Sequence, residues 1–137
     1  MPLDPSIVGR TYPPTAPYPV AEERVREFAA ALGTSYDGGP APATFPIVLA
    51  FEAMGTFLEA EGLPLHRIVH GEQRFAYERP VVPGDVLTTA LTVTSVRSIG
   101  GADLVATRSE VTDAGGALVL TASATLVHRP ADEEGAA

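Results

Sequence analysis

Three histidines, His66, His70 and His128, are the side chains here whose ordinary charge change falls near neutral pH. Moving a proton at a reacting carbon calls for such a group beside a carboxyl. Only His70 has that spacing. It stands two residues before Glu72, which puts both on one face of a regular strand. The pair reads either as an acid–base couple or as a polar network lining a cavity or interface, and the second reading is preferred. His66 adjoins Arg67 in a connection and reads as a solvated loop residue. His128 ends the last apolar run beside Arg129 and Pro130 and reads as a surface residue. The chain has no cysteine, hence no thiolate nucleophile, zinc thiolate or disulfide. No metal-ligand spacing, glycine-rich phosphate loop or G-x-S-x-G elbow occurs, so no metal or cofactor is expected.

These residues must be held by elements that hydropathy patterning brings out. Six of the thirteen prolines fall within the first twenty residues, which suits an extended arm with a short edge strand around 8–12. From Ala21, apolar positions at Val25, Phe28, Ala29 and Leu32 predict a helix ending at Gly33. Residues 33–43 are a loop by composition. Ile47, Ala50, Phe51, Met54, Phe57 and Leu58 then follow helical spacing, with Val48 and Leu49 extending the apolar surface around the back. Such a helix is expected to be wrapped rather than laid on a surface. Thr44 is its expected N-cap, with Pro46 in the first turn and Gly62 and Pro64 closing it. Beyond Leu65 the period becomes two, predicting strands over 67–79, 85–98, 103–112 and 117–128. In the second of these, Leu87, Leu91 and Val93 share one face and Thr88, Thr92 and Thr94 the other. Turn-formers at Pro83-Gly84-Asp85, 98–101 and 113–116 suggest antiparallel hairpins, with Asp85 capping its turn.

The expected architecture is α+β, one domain over residues 1–130 with a disordered acidic tail over 131–137. The whole chain has 137 residues, enough to bury roughly two thirds of its unfolded surface without a covalent staple. A net charge of −8, with nine scattered arginines and no lysine, argues against a nucleic-acid partner. No apolar run reaches the ~18 residues that would span a membrane, and the start does not read as a signal peptide, so a cytoplasmic location is expected. Long strands with unpaired edges suggest a sheet continued across a dimer or larger assembly.

The stretches Thr44-Phe45-Pro46, His70-Gly71-Glu72-Gln73-Arg74-Phe75 and Tyr77-Glu78-Arg79-Pro80-Val81-Val82-Pro83-Gly84-Asp85 carry a resemblance. With the apolar helix they are similar to the hot-dog-fold MaoC-like dehydratases. The match is to the FAS1-like dehydratase N-terminal group, which includes the non-catalytic subunit of a (3R)-hydroxyacyl-ACP dehydratase. The resemblance covers roughly Val8 to His128 and implies a long central helix enclosed by a curved antiparallel sheet. Catalytic members carry an Asp and a His a few residues apart between the two helices. Here that interval is only Gly33 to Ala43, with one acid, Asp37, and no histidine.

The resemblance therefore implies a substrate-shaping subunit with no catalytic residue of its own, partnered by a MaoC-like catalytic chain and handling acyl-ACP or acyl-CoA. Candidate substrate-binding residues are Thr44, Phe45, Phe51, Met54, Phe57 and His70. Free amides around Thr44, Phe45 and Ile47 at a positive helix end suit a thioester oxygen or phosphate, although Thr44 as a plain cap is the simpler reading. The aromatics suit an acyl tunnel, although such spacing is more often ordinary core. Arg74 and Arg79 suit a phosphopantetheine, with paired surface arginines as the default. Two other readings stay open. One is a non-enzymatic homodimer that binds acyl chains. The other is an acyl thioesterase using Glu52, Glu59 or Asp37.

Overall fold

The computed structural model describes residues 3–130; the expected tail over 131–137 lies outside them. Two α-helices and five strands follow in the order β1 (Tyr18–Pro19), α1 (Glu22–Ala31), α2 (Ile47–Glu61), β2 (Ile68–Tyr77), β3 (Val86–Ile99), β4 (Ala102–Thr112) and β5 (Leu118–His128). The sheet order is β1-β3-β4-β5-β2, with every pair antiparallel. Its inner face covers α2, so the expected hot-dog arrangement holds.

Each helix has identifiable stops. Glu22 and Glu23 occupy the first turn of α1, where carboxylates complement the positive helix end. Gly62 closes α2 in the left-handed conformation at φ +68°, which a side chain would disfavour. Leu49, Ala50, Ala53, Met54, Phe57 and Leu58 form the buried face of α2. The helix is not fully wrapped, however: Phe51, Glu52, Gly55, Glu59 and Ala60 remain exposed. Thr44 is not its cap. Pro46 takes that position, already in helical conformation, and no side chain bonds to the first amides.

The expected edge strand around 8–12 shrinks to one bridge, Thr11 to Thr92, and β1 lies further on. The arm still follows β3. Amides of Gly9, Tyr12 and Thr15 donate to the carbonyls of Val93, Leu91 and Thr89 at 2.8–2.9 Å. Prolines 13, 14, 17 and 19 lack the donors a continuous ladder needs. Thr15 offsets part of the loss, its Oγ1 accepting from the Thr89 amide at 3.0 Å.

The break at 83–85 is not a hairpin. β2 pairs with β5 at the opposite edge, so residues 78–85 carry the chain across the fold. Pro80 and Pro83 bar a ladder there, while Val81 is buried on the way. The tight hairpins are β3–β4 and β4–β5.

Two apolar clusters fill the space under α2. One gathers Val20, Val25, Phe45, Leu49, Leu87, Val111 and Leu120 with their neighbours. The other gathers Ile7, Tyr12, Met54, Phe57, Leu91, Val93, Val105 and Leu126.

Candidate functional site

The interval between α1 and α2 is short and tightly tied down. Arg26 on α1 donates to the Tyr36 carbonyl at 3.0 Å, and its guanidinium sits 5.6 Å from the Tyr36 ring centre. The Tyr36 hydroxyl donates to the Gly39 carbonyl. Further on, the Ala41 amide donates to the Val81 carbonyl at 2.7 Å, and the Tyr77 hydroxyl donates to the Ala43 carbonyl at 2.6 Å. Burial pushes the Tyr77 phenol up, keeping it a donor at neutral pH. These ties hold the interval against the exit of β2 and leave a cleft of about 400 Å³, lined by Pro40, Ala41, Ala43, Tyr77, Arg79 and Val81 among others.

Arg79 is at the cleft but is not free. Its guanidinium holds Asp85 through two contacts at 3.0 and 3.2 Å and reaches Asp113 at 3.5 Å. Asp85 also accepts from the Val82 amide at 2.9 Å, the turn cap the sequence suggested. The backbone amide of Ala117, aided by those of Gly115 and by Arg79, holds the Asp113 carboxyl below its usual range. Arg74 pairs with Glu72 at 2.5 Å on the outer surface. Both arginines therefore take the default role of paired surface cations.

Of the six candidate binding residues, Met54 and His70 line one void under α2, Phe51 stacks on His70 and Phe57 shares the core cluster of Met54, while Thr44 and Phe45 lie elsewhere. Phe45 is fully buried and meets Phe28 edge-to-face at 5.4 Å. Met54 and Phe57 lie in the second core cluster, Phe57 against Tyr12 at 5.2 Å. Phe51 is 48% exposed and stacks on His70, ring centres 6.4 Å apart. Thr44 stands alone on the surface. Of the three amides expected to be free, those of Phe45 and Ile47 already donate to the carbonyls of Pro42 and Thr44. Among the described residues, a void of about 10 Å³ lies between α2 and the sheet, and Phe45 lines a separate surface pocket of about 240 Å³ with Tyr18, Phe28 and Val48, so the four aromatic and Met candidates do not share one space.

His70 and Glu72 do not share a face. The register shifts between them, so Gly71 is an extra, bulged residue. His70 pairs with Leu126 and lines the void under α2, whereas Glu72 pairs with Thr125 and lies on the outer surface with Arg74. His66 is exposed in a short 3-10 turn, as expected. His128 is not a surface residue. It is 4% exposed, and its Nδ1 lies 3.0 Å from Oδ2 of Asp103. Sequence reasoning missed this pair because the flanking Arg129 and Pro130 suggested a strand end in solvent.

His128–Asp103 is the one histidine–carboxylate contact among the described residues. It is remote from the cleft: β2 runs from Ile68, opposite His128, to Tyr77, so about 25–30 Å of strand separates them. Asp37, Glu52 and Glu59 are all exposed. Among the described residues no cluster of three or more His, Cys, Asp or Glu is arranged to hold a metal ion, and no helix is long and apolar enough to cross a membrane.

The comparisons agree with this geometry. The family model described as FAS1-like, dehydratase domain region, matches residues 6–122. A UPF0336 protein of Streptomyces avermitilis is 44% identical, covering 97% of this chain and 99% of its own. That alignment runs over 149 positions, so the relative carries residues with no counterpart in this 137-residue chain. Among solved structures, the C-terminally truncated HadBC (3R-hydroxyacyl-ACP dehydratase) complex of Mycobacterium tuberculosis matches with TM-score 0.81 and 31% identity over 93% of this chain and 99% of that one. A MaoC-like dehydratase matches with TM-score 0.77 and 31% identity, over 93% of this chain and 44% of that one. The curled sheet around a central helix and these matches define one class, the hot-dog dehydratases. The chain belongs to their FAS1-like dehydratase family.

Proposed function

We propose that this chain is the substrate-shaping, non-catalytic subunit of a (3R)-3-hydroxyacyl-thioester dehydratase, acting on ACP- or CoA-borne acyl chains in fatty-acid or polyketide metabolism in the cytoplasm. Eliminating water from such a thioester needs a base for the α-proton, an acid for the departing hydroxide and donors for the thioester oxygen. The observation that carries the reading is that, among the described residues, no histidine–carboxylate pair faces the cleft beside the shortened interval. A MaoC-like partner supplies the Asp and His, and this chain supplies half of a continuous sheet and a wall of the substrate site. The open edge of β2 and the exposed Phe51–His70 stack beside it support such a joint.

The test is to purify the chain alone and with a MaoC-like chain that retains its Asp/His segment, then assay hydration of crotonyl and longer enoyl thioesters. The expected result is activity only in the complex. Robust hydration by the isolated chain would overturn the division of labour. A stable homodimer that ignores such partners would instead favour the acyl-binding reading.

A further inference from the structure

Polar side chains are out of place on the inner face of a sheet that packs on an apolar helix, yet several stand together there. Gln73 of β2 and Thr107 and Ser109 of β4 line the void of about 10 Å³ under Ala50 and Met54 of α2. Thr107 is 4% exposed and Ser109 is 3% exposed. The exposed His70 of β2 also borders the void, and the apolar neighbours on this face are Leu91, Ala122, Ala124 and Leu126. The void also marks the seam between the two apolar clusters: Ala50 and Ala122 belong to one, Met54, Leu91 and Leu126 to the other.

The Gln73 amide has a fixed orientation. Its Nε2 faces two carbonyls, those of Ser123 at 3.1 Å and Arg74 at 3.3 Å, so the nitrogen must lie on that side. Oε1 is then left buried without a donor among the described residues. The Thr107 and Ser109 side chains border the same void. A buried acceptor left alone costs roughly 1–3 kcal/mol, and buried polar groups without protein partners are ordinarily met by water. At about 10 Å³ the space is on the scale of a single water.

We propose that this void is a built site for a single water molecule, which donates to Gln73 Oε1 and bonds to the Thr107 and Ser109 hydroxyls. The small side chains of Ala50, Ala122 and Ala124 leave the room, and the three polar groups supply the two to four partners an internal water needs. The inference concerns the core alone and stands whether or not the chain works as a dehydratase subunit.

A crystal structure of the chain, or of its complex, at 1.5 Å or better tests it. The expected result is an ordered oxygen within about 3 Å of Gln73 Oε1 and of one of the two hydroxyls. An empty void, or one closed by a shifted Met54, overturns the proposal. Near-isosteric apolar substitutions give a second test with opposite signs. If the water is there, Thr107→Val and Ser109→Ala each lower the melting temperature by about 3–6 °C, because the remaining partners and the water lose a bond. If the void is dry, removing a buried polar group from its wall raises the melting temperature and refutes the site. Should either variant fail to fold, water-to-methyl NOEs at Ala122 and Ala124 of the unsubstituted chain decide the matter in solution.

Discussion

The imidazole Nδ1 of His128 and the carboxylate Oδ2 of Asp103 meet at 3.0 Å, in register across β5 and β4. Asp103 also accepts from the Leu3 amide at 3.1 Å and the Ser98 hydroxyl at 2.8 Å, so one buried carboxylate fastens the arm, β3, β4 and β5. Burial alone raises its pKa. The hydrogen bonds from His128, Ser98 and the Leu3 amide together win and hold it below the ordinary 3.8. A depressed folded value stabilises the fold fully above the unfolded one, and that stabilisation is lost as pH falls through the folded value. Asp103→Asn is therefore expected to cost about 3 kcal/mol at neutral pH. The gap between wild type and variant should narrow below about pH 3.8, read as denaturant midpoints across a pH series. A gap unchanged down to pH 2 would refute the assignment.

Gly71 sets which way His70 points. A methyl added there would lie 3.4 Å from the Thr125 carbonyl and 3.6 Å from Val127, ordinary contacts, so Gly71→Ala should change stability by less than about 1 kcal/mol. Deleting Gly71 removes the bulge and turns Ile68 and His70 away from the core face. That deletion is expected to cost more than about 3 kcal/mol in urea unfolding.

Two phenylalanines of α2, six positions apart, should respond in opposite ways. Phe57 is fully buried against Tyr12, and Phe57→Ala should cost about 3–5 kcal/mol. Phe51 is half exposed, and Phe51→Ser should leave the isolated chain within about 1 kcal/mol of wild type. On the proposed function, the same change weakens association with the partner chain, measurable by analytical ultracentrifugation.

The Arg79 fork spans Asp85 and Asp113, which a lysine cannot copy. Since the side chain is more than a third exposed, solvent screens the contacts, and Arg79→Lys should cost about 1 kcal/mol. The difference should shrink in 1 M salt. An unchanged difference would mean that packing, not charge, is what Arg79 contributes.

What could be read from the sequence follows from the range of the physics. α1, α2 and the four long strands were legible because their periodicity is local, and the alternation of Leu87, Leu91 and Val93 with threonines matches the buried face of β3. The pairing of β2 with β5 was not, since the 78–85 link resembles a hairpin turn and only tertiary packing sends it across the sheet. The Gly71 bulge was also invisible: a glycine in a strand is equally compatible with regular pairing, and its effect on His70 and Glu72 appears only against Thr125 and Leu126. The cleft at Tyr77 and Val81 had a weak signal in the prolines and alanines of 40–43, small residues that leave space. The burial of His128 had none, because its partner Asp103 lies on another strand.

The proline-rich arm has a consequence for how copies of this chain can join. Laid along β3, it occupies one margin of the sheet with side chains and donor-poor backbone, and among the described residues only the β2 margin remains available to another strand. A ribbon that can be extended on a single side closes after one union. Endless stacking of copies into fibres needs two sticky rims, and the arm leaves one.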